Sequence, residues 1–311
     1  MIIFNPKAGQ AEELYQQLEA AADTWRTHGW QVEMHPTNGP GDAITLARQA
    51  ASQGYDMVAA AGGDGTINEV VNGLVGSQTA LGTLPFGTVN VWARELGLPL
   101  QPRLAAEALL QCRVHPIDLG RAGGRYFLLM AGVGFDAAIT ASVDSEAKRR
   151  FGVIAYVVRG IRKLLHIRGT RARLWLDGRQ IRGRVLMIVI GNSQLYGGVV
   201  KITHQATIDD GLLDVCVIRG NGLWSALVHA VAILRRRYDH NPEITYYRAR
   251  TVEIAARPSL PVQVDGDTIG YTPMTVAVVP GGLRALMPTN LPTHLLRHRP
   301  TMLLQEEERQ Q

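Results

Sequence analysis

Three stretches of this sequence set acidic side chains beside glycines in a way that suits phosphate chemistry. The first is Gly62-Gly63-Asp64-Gly65-Thr66, between the run 56–61 and Ile67-Asn68-Glu69-Val70-Val71-Asn72. The run reads as a strand buried on both faces. Ile67, Val70, Val71, Leu74 and Val75 mark one face of a helix. Thr66 with Glu69 has capping-box spacing, which predicts a helix starting at Thr66. A helix N-terminus presents unsatisfied N–H groups and about half a positive charge. Gly62, Gly63 and Gly65 carry no side chains, so a phosphate can approach that backbone closely. Asp64 tolerates such a phosphate only with a metal ion or a transferring proton between them. The competing reading is a turn that merely joins strand to helix, because glycine-rich motifs are weak alone.

The second stretch, Asp209-Asp210-Gly211-Leu212-Leu213-Asp214, crowds three carboxylates together. Their repulsion points to a hard cation held by carboxylate and carbonyl oxygens, or else to a solvated turn. In the third, Val264-Asp265-Gly266-Asp267, a carboxylate can accept a hydroxyl proton during phosphoryl transfer. It equally fits a hairpin turn, as Asp177-Gly178 does.

The elements that position these groups alternate. Ile2–Phe4 gives a strand that ends at Asn5-Pro6-Lys7-Ala8-Gly9, and Leu14, Leu18, Ala21 and Ala22 mark a helix. Trp30–His35 reads as the next strand, and Asp42 as the N-cap of a helix through Ala43, Leu46, Ala47, Ala50 and Ala51. Leu81–Leu84 is a further strand, followed by Pro85-Phe86-Gly87-Thr88-Val89-Asn90 and a helix over Val91–Leu96. This alternation predicts a parallel sheet with helices on both faces, whose ligands bind beyond the carboxyl ends of the strands. Four loops meet there, offering hydroxyls (Thr37, Thr88), amides (Asn5, Asn90) and the charge of Lys7 to a nucleotide phosphate. Beyond Val114 the pattern turns to short strands with turn signals, which predicts an antiparallel sandwich. A helix over Ala137–Leu165 precedes most of these strands, and one helix, Leu223–Tyr238, interrupts them.

The 311 residues carry a net charge of +5, which suits anionic partners. Cys112 and Cys216 make neither a disulfide framework nor a metal cluster. No apolar segment is long enough to span a membrane. Basic residues gather at Lys148-Arg149-Arg150, Arg159–Arg173, Arg235-Arg236-Arg237 and Arg297–Arg299, interleaved with apolar ones between Val157 and Leu165. The mixture fits an anionic bilayer better than nucleic acid, for which no binding module appears.

Several motifs in order carry a resemblance: Asn5–Gly9, Gly62–Thr66 with Asn68-Glu69, Pro85–Asn90 with Ala93-Arg94, and Gly132-Val133-Gly134-Phe135-Asp136. Gly191-Asn192 with Gly197-Gly198, Asp210–Asp214 and Asp265-Gly266-Asp267 complete the set. The chain resembles the diacylglycerol kinase catalytic-domain family of lipid kinases, which includes sphingosine and ceramide kinases, and looks most like its bacterial members. Gly62–Thr66 alone also occurs in NAD kinases; the ordered set is far more specific. The resemblance implies an ATP-dependent kinase acting on a lipid hydroxyl. It implies an α/β domain with a parallel sheet, NAD kinase-like or phosphofructokinase-like, over 1–120. A lipid-binding antiparallel β-sandwich domain over 121–284 follows, and 285–311 packs back on the first domain.

Gly62, Gly63, Asp64, Gly65, Thr66, Ile67 and Asn68 then bind ATP, with Thr37 and Thr88 beside them. Thr207 and Leu212, through main-chain oxygens, and Asp210, through its carboxylate, match a Mg2+ site. Asp267 matches the base. Bacterial relatives often have Glu at Asp267 and Asp at Val91, which leaves Asp64 as a rival base. The implied setting is cytoplasmic and peripheral to the membrane, with a lipid substrate, an anionic membrane surface, no nucleic acid, and a homodimer admitted. Two rival functions stand beside it: a soluble small-molecule kinase similar to NAD kinase, and a non-catalytic membrane-bound nucleotide sensor.

Overall fold

A computed structural model of the chain describes residues 1–7, 11–134, 168–198, 200–234, 241–291 and 295–297. The helix expected over Ala137–Leu165 and the basic groups at 148–150, 159–167, 235–237 and 298–299 lie outside the described residues. The first part alternates as expected: β1 (Ile2–Phe4), α1 (Ala11–Arg26), β2 (Met34–Pro36), α2 (Asp42–Ser52), β3 (Met57–Gly62), α3 (Asp64–Leu74) and β4 (Ala80–Pro85). Then come α4 (Val91–Glu95) and α5 (Pro102–Leu109). The strand expected over Trp30–His35 is confined to Met34–Pro36.

Strands β4-β3-β1-β2 lie side by side, and all three pairings are parallel. From β1 the chain steps outward to β2, then returns across β1 to β3 and β4. Right-handed crossovers in opposite directions put α1 on one face and α2 and α3 on the other. The Trp25 indole ties α1 to α5 by donating to the Ala106 carbonyl at 2.9 Å. Gly73 of α3 lets that helix close on Ala47 of α2. The direction reverses between β1 and β3, and this switch point opens a crevice at the carboxyl ends of both strands.

The remaining strands are β5 (Arg113–Ala122), β6 (Arg125–Phe127), β7 (Met130–Gly134), β8 (Thr170–Leu176), β9 (Arg179–Gly191), β10 (Leu195–Tyr196), β11 (Val200–Lys201) and β12 (Leu213–Arg219). Helix α6 (Gly222–Leu234) precedes β13 (Ile244–Ala249), β14 (Thr251–Arg257), β15 (Pro261–Val264), β16 (Asp267–Tyr271) and β17 (Met274–Met287). Their pairings with one another are antiparallel. A hairpin at Ala122-Gly123-Gly124 joins β5 to β6, with both glycines at positive φ.

Strand β17 links the two kinds of sheet: Val276–Met287 pairs with β5, and Ala285 pairs in parallel with Leu81 of β4. One core lies chiefly among β1, β3, β4 and their helices, and the other among alternate residues of β7, β8, β9, β12, β14 and β15. Leu286, Met287 and Leu295, late in the chain, belong to the first core.

Candidate active site

Helix α3 begins at Asp64, two residues before the expected start, with Gly63 as an N-cap that makes no side-chain capping bond. The N–H of Ile67 is bonded to the Gly63 carbonyl at 3.1 Å, so the first turn's N–H groups precede it. Glu69 makes no capping box. Its two carboxylate oxygens accept the N–H groups of Gly41 (3.0 Å) and Ala43 (3.2 Å), so it caps the neighbouring α2. Asp42 is likewise displaced as N-cap: Gly41 holds that place at φ 87°, and Asp42 accepts the N–H of Asn38.

A cavity of about 440 Å3 opens at the switch point, lined by Asn5, Lys7, Thr37, Gly63, Gly65, Thr66 and Glu69, with 38–40 and Ala43 closing the side. Three predicted loops therefore meet in one space. The Asn5 side-chain oxygen accepts the Lys7 N–H at 2.9 Å, which fixes the turn after β1. Lys7 is exposed, Gly65 is exposed and Thr66 half-buried, so the turn is open to a ligand. The fourth loop backs this wall. Phe86 donates its N–H to the Gly62 carbonyl at 3.1 Å, and a Cβ on Gly87 would stand 2.5 Å from the Gly63 Cα. Asn90 does not offer its amide to the cavity, as the sequence suggested. It is buried, and both amide atoms bond the backbone of Gly87 at 2.8 Å. Thr88 is exposed on the same loop.

The other predicted residues serve a second direction. Gly62 is buried beneath Thr66, and Ile67 lies in the core. Asp64 accepts the Trp92 N–H at 3.3 Å, which joins α3 to the start of α4. Asn68, four residues on and so on the same helix face, donates to Asp265 Oδ2 at 2.9 Å and to the Tyr126 carbonyl at 3.2 Å. Asn72 extends the contact, giving to the Tyr126 carbonyl and accepting the Tyr126 N–H.

Asp265 is the hub that sequence reasoning passed over as half of a hairpin. Its carboxylate also accepts the N–H groups of Leu128 (2.7 Å), Leu129 (3.0 Å) and Met130 (2.8 Å). Burial pushes its carboxyl up to about 6, against the opposing pull of these donors. The turn it anchors carries Asp267, which is 60 % exposed and pairs with Arg125 at 3.1 Å. Thus α3 holds a cavity on one side and, through Asn68 and Asp265, the turn of Asp267 on the other.

The acidic loop is not a solvated turn. Side chains of Asp209, Asp210 and Asp214 are only 5–6 % exposed. Asp209 accepts the Arg297 N–H and bonds His115; Arg248 sits 3.2 Å from Asp214 and 3.7 Å from Asp210. Asp118 adds a fourth carboxylate, accepting the N–H groups of Gly211 and Gly281. Burial raises the carboxyls of Asp118, Asp210 and Asp214, the last to about 6.

Among the described residues no group of three or more His, Cys, Asp or Glu is arranged to hold a metal. A set of one carboxylate and two main-chain oxygens, as expected of Thr207, Asp210 and Leu212, is a different kind of site. Its donors are hard oxygens that suit Mg2+ in kind, and the buried Asp214 Oδ2 beside it has no hydrogen-bond partner among the described residues.

Comparison with known proteins matches two stretches of the chain. Residues 1–122 match the family described as diacylglycerol kinase catalytic domain, and residues 130–287 match the YegS C-terminal NAD kinase beta sandwich-like domain. A Bacillus subtilis protein named diacylglycerol kinase is 32 % identical, covering 88 % of this chain and 90 % of that one. A Pseudomonas aeruginosa protein named "Probable lipid kinase YegS-like" is 32 % identical, covering 96 % and 97 %. A solved structure of a diacylglycerol kinase from Bacillus anthracis superposes with a TM-score of 0.74 at 25 % identity, over 92 % of this chain and 96 % of its own.

Proposed function

Since the chain belongs to the diacylglycerol kinase catalytic-domain family, and is thereby a kinase that phosphorylates a lipid alcohol, we propose that it transfers the γ-phosphoryl group of ATP to a lipid hydroxyl at a membrane surface. The observation that carries this reading is the cavity at the sheet's switch point, where the open first turn of α3 meets Lys7 and Thr37. The N–H groups of Gly63, Asp64, Gly65 and Thr66 bind the phosphates, helped by the helix dipole and the Lys7 ammonium. The part over 1–120 holds the nucleotide and the part over 121–284 receives the lipid.

In the transfer, the lipid oxygen attacks Pγ, the bond from Pγ to the β–γ bridging oxygen breaks, and ADP leaves with that electron pair. The hydroxyl proton passes to the Asp267 carboxylate, worth about 100- to 10,000-fold in rate. Arg125 orients that carboxylate, while Asn68 and Asp265 fix its turn against α3. Asp64 is the alternative proton acceptor and stands at the start of the same helix. Most of the acceleration comes from holding the two reactants in line and from fixed dipoles at the phosphates.

Magnesium enters by two routes. It accompanies ATP as part of the substrate. A second ion would be held by Asp210 with the main-chain oxygens of Thr207 and Leu212, where it would neutralise a crowded acidic loop. The test is incubation of the protein with γ-labelled ATP and a total bacterial lipid extract. A labelled lipid is the expected product, and label on NAD without any on lipid would favour the soluble-kinase reading instead.

A further inference from the structure

The outward face of β8, β9 and β14 carries five arginines on two neighbouring rungs. Arg171 stands directly opposite Arg184 on one side and Arg257 on the other, and Arg173 stands opposite Arg182. All five are exposed, while the alternate residues Ala172, Leu174 and Leu176 point into the sandwich core. Like charges set directly opposite on a sheet repel one another. Among the described residues none of the five has an ion-pair partner. On β14, Glu253 faces Trp175 two residues along from the Arg173 rung. Among the described residues, one carboxylate against five guanidiniums leaves the face strongly positive.

Helix α6 follows directly on a segment, 220–221, that adjoins this array. Trp224, Leu227, Val228 and Val231 recur at helical spacing and are 79, 43, 46 and 47 % exposed, while His229 on the other side is buried. The segment entering α6 is tied to the end of the arginine rungs. Gly220 donates its N–H to the Arg184 carbonyl at 3.3 Å, and Gly169 donates to Asn221 Oδ1 at 3.0 Å.

We propose that the arginine face and the apolar stripe of α6 together form the docking surface of this chain for an anionic lipid bilayer. The arginines meet phosphate headgroups, and the α6 stripe enters the interfacial layer beside them. A nucleic-acid backbone would satisfy the charges and leave the Trp-Leu-Val-Val stripe in water. The inference rests on the lipid-kinase reading and adds which face meets the membrane.

Sedimentation with vesicles of phosphatidylcholine, alone or mixed with phosphatidylglycerol, tests it without any nucleotide. The full chain should prefer the anionic vesicles, and the preference should fall with salt. The variant carrying Arg173→Gln and Arg182→Gln should lose about 25-fold in partitioning, at roughly fivefold per basic residue. Trp224→Ala should weaken binding to both kinds of vesicle. The arginine variant should phosphorylate detergent-dispersed diacylglycerol at the unaltered rate. Docking that behaves this way with no lipid labelled would sink the kinase reading alone. Equal partitioning of the unaltered protein and the arginine variant would overturn the proposal. So would tighter, arginine-dependent binding to an oligonucleotide than to anionic vesicles, or a dimer that Trp224→Ala converts to monomer.

Discussion

Replacing Asp265 by Asn removes a charge from a half-buried carboxylate that accepts four N–H donors, and the structure fixes how stability should then depend on pH. The Asp265 carboxyl is raised from 3.8 to about 6, chiefly by burial. The folded chain therefore binds a proton near pH 6, the unfolded chain only near pH 4. Between those values the folded state holds more protons, so this group's contribution is fully present below the unfolded value and is lost as pH rises through 6. Linkage gives a gain of about 1.4 kcal/mol on going from pH 7 to pH 5. The amide has no proton to take up and forfeits that gain.

At pH 7 two effects oppose. Removing the charge releases about 3 kcal/mol, from a shift of about two pK units. The amide also keeps only one acceptor oxygen for four donors. With that oxygen on Leu129 and Met130, its NH2 faces the Leu128 N–H and the Asn68 amide, at about 1–3 kcal/mol for each unmatched donor. The net change at pH 7 therefore lies between about 1 kcal/mol gained and about 3 kcal/mol lost, and the pH dependence is the diagnostic. Urea unfolding of both proteins at pH 5 and pH 7 measures it. An identical change from pH 7 to pH 5 in the two proteins would refute the assignment of a raised carboxyl at Asp265.

Two glycines should separate ligand binding from packing. Among the described residues a Cβ on Gly65 meets nothing within 4 Å, so Gly65→Ala should leave the melting temperature unchanged or higher while blocking the phosphates, at about tenfold or more in ATP affinity by calorimetry. On Gly87 the Cβ would press on the Gly63 Cα and on Asn90 Oδ1, so Gly87→Ala should lower stability by about 1–3 kcal/mol in thermal unfolding. Asp267→Asn should cut kcat by about 100- to 10,000-fold. Since its side chain is 60 % exposed, unfolding should shift by no more than about 0.5 kcal/mol. A variant that keeps full activity would transfer the proton-accepting role to Asp64.

The alternation of strands and helices was legible because buried apolar runs such as Val58–Ala61 and glycine breaks such as Gly62-Gly63 are local signals. The meeting of the Asn5, Thr37 and Gly62 loops followed from that alternation. What could not be read was contact between distant residues. Asn68 and Asp265 are 197 positions apart, and Thr66 with Glu69 has the spacing of a capping box although Glu69 caps another helix. Asn90 closes its own loop through a left-handed backbone, at φ 53°, that spacing does not announce. The joining of β17 to β4 rests on one parallel pair, Ala285 with Leu81, and leaves no mark on either segment. The strand Ile244–Ala249 leaves little mark in the sequence because its polar and aromatic residues lack a clean alternation.

A structure of the chain with a non-hydrolysable ATP analogue reaches furthest into the mechanism. The β- and γ-phosphates should lie on the N–H groups opening α3, beside Gly63, Gly65 and Thr66, with Lys7 alongside and the γ-phosphate on the side that faces Asp267. A triphosphate bound elsewhere, with the first turn of α3 left in water, would contradict the account.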